Sequence, residues 1–371
     1  MGRVKNKVSR KSILIDCTSC HGRISGLERY TIEIVNRLIL IDHSNYVLAI
    51  PKGTKEFNNV DRCRIHRSWF NNRLINEWLF LPWVFLKTKC SAVFFPAFPP
   101  SLVFKIFNCE IYRTVHDAVM WKYPNTISIK TKLYTKILET VFISRYNKIL
   151  TVSEFSKAEI QEVFPKLKTD ILNTYNGVDF DFDYFPDKIK TDLHFNSKYI
   201  LTVGTIEPRK NYVFLIRVFK QVLDSNPSIK LVIAGRKGWG IDEVNKEITR
   251  LGIADSVILT GGVSDEKLYN LYYFSDLFVY PSIYEGFGLP LLEAMFFKKF
   301  IISANNSALP EVVGKAGILL KTFDTEKWVN TINEFFTNPN LYISYTENAS
   351  NQLRKFNWEN IAALVHRFIN E

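Results

Sequence analysis

Short apolar, β-branched runs alternate along this chain with longer stretches in which apolar residues recur every three or four positions. SILIDC (12–17), YVLAIP (46–51), AVFFP (92–96), IYRTVH (111–116), KILTV (148–152) and DILNTY (170–175) read as strands. LERYTIEIVNRLIL (27–40) has helical spacing, and so do stretches near 71–87, 127–145 and 154–163. Such alternation predicts a parallel sheet with helices on both faces. The pattern lapses over NGVDFDFDYFPDKIKTDLHFNSK (176–198), a polar stretch without clear helical spacing. It resumes with strands at YILTVG (199–204), IKLVIAG (229–235), SVILTG (256–261), DLFVYP (276–281), KFIISA (299–304) and GILLK (317–321). Helices fit at 209–224, 241–251, 264–275, 289–297 and 325–337. The pattern therefore predicts two doubly wound α/β domains, 1–180 and 199–355, joined by a linker at 181–198. A last amphipathic helix follows at 356–371. Tandem sheets of this kind leave a cleft, with the carboxyl ends of both sheets, where such sheets bind ligands, expected to face it.

Length and composition agree with this picture. The chain has 371 residues, 47% hydrophobic and 14% aromatic, enough for two sizeable cores and unlike a disordered chain. No apolar run reaches the roughly 18 residues of a spanning helix. The basic start MGRVKNKVSRK is followed only by SILI before Asp16, too little for a signal peptide, so a cytoplasmic location is expected. Five cysteines fit reduced thiols; Cys17-x-x-Cys20 followed by His21 has no second pair at zinc-like spacing, and small residues closing a strand remain the plainer reading. The net charge of +11 is uneven. Residues 1–185 hold 27 Lys and Arg against 17 Asp and Glu, whereas 186–371 hold 21 against 20. A basic first half suits nucleic acid, an anionic membrane surface, an anionic substrate, or no partner at all.

Two stretches of the second half carry chemistry. In VGTIEPRKNYVFLIRVF the strand ends at Gly204, and Arg209 and Lys210 stand where the next helix starts. Amides at a helix start favour an anion, so a diphosphate site and a surface basic pair are both open there. In YEGFGLPLLEAM (284–295), Glu285 lies in a turn with two glycines and Glu293 near the start of a helix opened by Pro290. The amides of Phe287, Gly288 and Leu289 offer donors for a phosphate, and the two acids offer acceptors for hydroxyls. A nucleotide sugar has both features. The alternative is a capping Glu285 and an exposed Glu293 stabilised by the helix dipole.

YEGFGLPLLE resembles the E-x7-E motif of retaining glycosyltransferases of family 4, which have two facing Rossmann-like domains, the GT-B fold. VGTIEPRKN resembles that family's phosphate-binding loop. TVHD (114–117), TVSEFSK (151–157), YNGVD (175–179), LVIAGRKGW (231–239), the glycine pair 261–262 and ALPEVVGKAGILL (308–320) follow in the family's order over most of the chain. The resemblance implies that Glu293 holds the ribose hydroxyls, Glu285 the sugar hydroxyls, and Arg209 with Lys210 the diphosphate, whose charge grows as the glycosidic bond breaks. Thr205 stands where the family often has an arginine, which shifts the phosphate load to Arg209 and Lys210. Val263 and Lys267 match the neighbourhood of the base. Gly26 in HGRISGLERY matches the first-loop glycine that approaches the donor, and His116, with Asp117 orienting it, matches a histidine near the reacting sugar. No covalent nucleophile is implied, because the leaving phosphate is proposed for the family to take the acceptor's proton. DFDFD (179–183) superficially resembles the DxD metal site of another fold; its place at the head of the linker reads as solvated acids, so neither metal nor cofactor is expected. In similar proteins the last helix packs back on the N-terminal domain.

The expected activity is transfer of a hexosyl or 6-deoxyhexosyl group, mannose or rhamnose favoured, to a glycan acceptor in bacterial surface polysaccharide synthesis. Many relatives use lipid-diphosphate-linked acceptors, and RCRIHR (62–67), KTK (87–89) and KTKLYTK (130–136) offer cations to an anionic membrane surface. Nucleic acid is not expected as a partner, since the basic residues form no recognised binding motif. Two other classes stay open: a nucleotide-sugar epimerase on the same fold, which needs no acceptor, and a non-catalytic glycan- or nucleic-acid-binding protein.

Overall fold

The structure is a computed structural model that describes residues 11–20, 25–54, 57, 63–126, 129–178 and 197–371, with backbone alone for 129–132. The basic start of the chain, His21, DFDFD and the linker to residue 196 lie outside the described residues. Two compact units emerge: one built from Met1–Ala118, Ile129–Asn176 and Trp358–Glu371, the other from Val119–Ser128 and Gly177–Asn357.

The first unit is a parallel sheet of β1 (Ile13–Asp16), β2 (Tyr46–Ile50), β3 (Arg64–Arg67), β4 (Ala92–Phe95), β5 (Glu110–Thr114), β6 (Lys148–Thr151) and β7 (Ile171–Asn173) in the order β3-β2-β1-β4-β5-β6-β7. Strands β1, β2 and β4 are buried along their whole length. That explains why they read as continuous apolar runs rather than alternating ones. Helix α1 (Gly26–Asp42) starts at a capping box, Ser25 with Glu28, and buries Tyr30, Ile34, Val35 and Leu38 at helical spacing. Between β3 and β4 come α2 (Arg73–Ile75), one π turn over Asn76–Phe80, and α3 (Leu81–Thr88). The chain continues through α4 (Val119–Lys122), which clusters with the second unit, α5 (Ile129–Phe142) and α6 (Glu154–Val163).

The second unit carries β8 (Tyr199–Val203), β9 (Lys230–Ala234), β10 (Val257–Gly261), β11 (Leu277–Tyr280), β12 (Phe300–Ala304) and β13 (Gly317–Leu320), again parallel, in the order β10-β9-β8-β11-β12-β13. Its helices are α7 (Tyr212–Ser225), α8 (Ile241–Leu251), α9 (Asp265–Phe274), α10 (Leu289–Phe296), α11 (Leu309–Val313), α12 (Thr325–Thr337) and α13 (Ile343–Leu353). The last helix, α14 (Trp358–Asn370), belongs to the first unit. It lies on α1, with Trp358 6.0 Å from the Tyr30 ring and Glu359 3.2 Å from Arg37. His366 Nδ1 is 2.6 Å from the Tyr46 hydroxyl of β2.

Four details differ from the pattern-based expectation. Strand β3 is the sequence RIHR, three of whose four residues are basic or imidazole, so it shows no apolar run; it is an edge strand. The helix expected over 71–87 is divided by the π turn. The helix expected from 209 begins at Tyr212, because Pro208–Lys210 form a 3₁₀ turn and Asn211 takes φ 60°, a left-handed residue that a continuous helix excludes. Helices α11 and α13 were not expected; α11 is only five residues long, and α13, ISYTENASNQL, is mostly polar.

Candidate functional site

In the second sheet the chain runs from β8 outward through β9 to β10, then returns to place β11 on the other side of β8. The order reverses between β8 and β11, and open α/β sheets take ligands at the carboxyl ends of the strands flanking such a reversal. The turns after β8 and β11 lie there. They are stitched together: Ile283 N–H donates to Arg209 C=O at 2.7 Å, and Asn211 Nδ2 donates to Pro281 C=O at 3.2 Å. The turn after β8 is also held by its other neighbour. Ile206 N–H donates to Arg236 C=O at 2.9 Å and Gly240 N–H donates to Ile206 C=O at 3.1 Å. This approach is so close that a Cβ on Gly235 would meet the Gly204 carbonyl oxygen at 2.0 Å.

The stitched turns bring the half-buried Arg209 together with the buried Lys210 and Glu285 in one cluster. Lys210 Nζ donates to Glu285 Oε1 at 2.6 Å and to the Tyr280 hydroxyl at 2.7 Å. The same hydroxyl donates to Glu285 Oε1 at 3.0 Å. Arg209 Nη1 donates to Glu285 Oε2 at 2.8 Å, and its Nε donates to Glu207 at 3.0 Å. Glu285 N–H donates to Ser307 Oγ at 3.1 Å, which fixes the backbone from which the carboxylate projects. Burial alone would raise the Glu285 carboxyl; Arg209 and Lys210 outweigh it and hold the group at about 2. Burial lowers Lys210, with Glu285 opposing. An ammonium has three N–H donors, and two of those on Lys210 are engaged among the described residues. The sequence suggested separate tasks for the cations and the acid; the fold makes them one hydrogen-bonded unit.

Around this cluster, Gly288 caps α10 with φ 110°, a backbone state only glycine adopts readily, and Pro290 occupies the first turn. Phe287 is buried, its ring 5.4 Å from that of Phe356, and Leu289 is half-buried. Glu293 falls in the second turn of α10 rather than the first, is buried, and accepts from the Tyr272 hydroxyl of α9 at 2.7 Å. Thr205 sits half-buried in the turn after β8. Val263 and Lys267 follow β10, two strands from β8; the Lys267 N–H donates to the N-cap Ser264.

Gly26 and His116 belong to the first unit. Gly26 is the first residue of α1 and is exposed. His116 follows β5, and its Nε2 lies 2.7 Å from Pro96 C=O. A carbonyl only accepts, so Nε2 carries the proton and Nδ1 the lone pair. The Tyr30 ring stands edge-on at 4.8 Å. Desolvation, then the charge of Arg113, hold this imidazole at about 3, which keeps it neutral; the Pro96 bond opposes. Asp117 is half-buried beside it. Cys17 and Cys20, after β1, are buried and form no disulfide. Among the described residues no group of three or more His, Cys, Asp or Glu could hold a metal ion.

Tyr280, Glu207 and Ser307 were not among the residues singled out by sequence. Tyr280, the last residue of a buried strand entering the motif turn, was legible as a polar tip at a strand end; nothing local marks Ser307, which arrives from the turn after β12.

Residues 186–352 match the family described as Glycosyl transferases group 1. Those residues, less than half of the chain, are similar to a group 1 glycosyltransferase domain. It is 34% identical over 220 residues to the O-antigen chain mannosyltransferase B of Escherichia coli, a match covering 57% of each chain. That match therefore spans little more than half of the relative's length. Among solved structures, the sucrose-phosphate synthase of Thermosynechococcus elongatus superposes with a TM-score of 0.78 at 17% identity, over 97% of this chain and 98% of that one. Anabaena HepE in complex with UDP-glucose superposes at 0.74 and 19%, over 97% and 99%. Both likenesses establish the fold, two Rossmann-like domains of the GT-B kind.

Proposed function

We propose that the protein is a retaining, metal-independent glycosyltransferase that moves a mannosyl or rhamnosyl group from a nucleotide diphosphate sugar to a growing surface polysaccharide. The observation that carries this reading is the Arg209–Glu285–Lys210 cluster at the β8–β11 reversal. Fixed cations there favour the charge that builds on the departing diphosphate. Lys210 keeps one N–H donor for a phosphate oxygen, and the amides of Phe287, Gly288 and Leu289 add dipolar support at the α10 start. Glu285, ionised at any working pH, places the cations and accepts from sugar hydroxyls. Glu293 takes the ribose, with Thr205, Val263 and Lys267 along the same sheet edge. From the first unit, His116 offers a neutral imidazole and Gly26 a backbone without a side chain. The leaving phosphate oxygen takes the acceptor's proton, so no protein nucleophile is assigned. The mannosyl preference and the O-antigen context follow the name of the Escherichia coli relative, and HepE was crystallised with UDP-glucose. The acceptor is a lipid-diphosphate-linked glycan at an anionic membrane face of the cytoplasm. No helix among the described residues is long and apolar enough to cross a membrane.

The test is a panel of GDP-, UDP- and dTDP-sugars, read first as thermal stabilisation and then as transfer in excess EDTA. One GDP- or dTDP-hexose should stabilise the protein and support turnover without added metal. Glu285→Gln should abolish transfer. Unimpaired transfer by that variant, or free epimer released without acceptor, would overturn the assignment.

A further inference from the structure

The segment joining β3 to β4 is apolar on two faces: Phe80, Leu81, Val84 and Phe85 enter the core of the first unit, and a second set of large apolar residues faces outward. In its helical stretch, Arg73 to Thr88, the first turns also bury two polar residues, Asn76 and Glu77, at 0% and 3% exposure. Asn76 accepts from Ser68 Oγ and donates to Phe70 C=O at 3.3 Å. Glu77 accepts from Arg73 and from the Tyr134 hydroxyl at 3.1 Å, while its carbonyl accepts from Ser101 Oγ at 2.9 Å. Outward stand Leu74, Leu79, Trp83 and Leu86, 40–64% exposed. They are spaced by five, four and three residues, one turn each, because the π turn over Asn76–Phe80 absorbs the extra residue that would otherwise rotate Leu74 off the stripe. Trp69 extends the stripe, 69% exposed with its ring 5.6 Å from that of Trp83.

Exposed single apolar residues are ordinary, but a continuous large apolar stripe on a segment that already buries a separate apolar face in the core is not. The inward hydrogen bonds fix the rotation of the segment, so the stripe cannot roll under. Its charge selects the occupant. Residues 63–89 contain Arg64, Arg67, Arg73, Lys87 and Lys89 against one acid, the buried Glu77. Lys87 Nζ lies 4.8 Å from the Trp83 ring. Tryptophan and leucine flanked by cations is the composition of an in-plane anchor: the apolar face enters the acyl boundary, tryptophan settles at headgroup depth, and cations meet anionic headgroups.

We propose that Leu74, Leu79, Trp83, Leu86 and Trp69 form a membrane-inserting face that docks the first unit on an anionic bilayer. This deepens the lipid-linked acceptor reading and rests on it. It differs from attraction by basic clusters alone, because insertion survives salt that screens charge.

Full-length protein is sedimented with phosphatidylcholine vesicles with and without phosphatidylglycerol, at low and high salt. Binding should need the anionic lipid to form and should persist in part at high salt. Leu79→Ser with Leu86→Ser should weaken it about tenfold or more, leaving sugar-nucleotide stabilisation intact. As a check independent of those variants, brominated lipid should quench the wild-type tryptophan emission, and Trp83→Phe should remove part of the quench. No quenching, or undiminished binding by a folded double variant, overturns the proposal. So does conversion of a dimer to a monomer by that variant with vesicle binding unchanged, which would make the occupant a second copy. Failure of the wild type to bind any nucleotide sugar would instead sink the transferase reading on which this proposal rests, an outcome read separately from vesicle binding.

Discussion

At the residue scale the cluster around Glu285 is a buried charge arrangement in which each member is satisfied by the others. Removing one partner leaves an uncompensated charge. Lys210→Met should therefore lower stability by about 3 kcal/mol, read as a lowered denaturant midpoint, and should also abolish sugar-nucleotide stabilisation. An intact donor response in that variant would place the phosphate elsewhere. Two other groups, the half-buried His116 and the buried Asp16, contribute to the acid response. His116 is held at about 3, so between pH 6.5 and 3 the unfolded chain binds a proton that the folded chain refuses, and stability falls as pH falls. Asp16 accepts from the Thr18 N–H and hydroxyl at 2.9 and 2.6 Å, and burial raises it to about 6. Between pH 3.8 and 6 its folded form holds a proton that the unfolded form releases, so its contribution falls as pH rises. The two oppose each other. Asp16→Asn should steepen the loss of stability from pH 6 to 4, and His116→Gln should flatten it, with Glu285 and Glu247, both held at about 2, still losing stability towards pH 4; all are measurable as melting temperature against pH.

At the scale of elements the turns after β8, β9 and β11 behave as one piece, because backbone meets backbone there. Gly235 has no space for a side chain: its Cβ would overlap the Gly204 carbonyl. Gly235→Ala should cost about 3 kcal/mol, and it should reduce donor affinity by moving the turn that carries Arg209 and Lys210. A variant with normal melting and normal donor binding would show that the turns move independently. The stitching also explains how much of the site the sequence disclosed. The E-x7-E pair, the basic pair and the capping Gly288 were legible because each is a local signature: a turn glycine, a helix proline, charges at a strand end. That Arg209 and Lys210 embrace Glu285, 76 and 75 positions away, was not. The strand order that makes β8 and β11 neighbours appears nowhere in the local pattern. The expected helix start at Arg209 failed for a related reason. Asn211 in the left-handed region is favoured by its side-chain bond to Pro281, a residue supplied by another turn.

At the scale of the whole molecule, the chain end closes the first unit. Trp358, Ile361, Ala362, Val365 and Ile369 of α14 are buried, and Tyr46 and Arg37 bond to the same helix. Ending the chain after Asn357 would expose the apolar face of α1. Full truncation should leave the first unit poorly folded, and Trp358→Ala alone should cost about 3–5 kcal/mol, seen as an early transition in thermal melting. Unchanged melting of the truncated chain would contradict that account.

The sequence by itself determined the two α/β halves, the positions of most strands and the residue types found in the candidate site. Buried parallel strands must be continuously apolar, and a turn with a positive φ or a helix opened by proline needs those residue types in place, so both leave marks in neighbouring residues. Strand order, the pairing of Glu285 with its two cations, the rotation of the 73–88 segment and its outward apolar stripe were decided only by the tertiary structure. Each depends on hydrogen bonds and charges between residues distant along the chain, whose energies exist only once the sheet has brought them together.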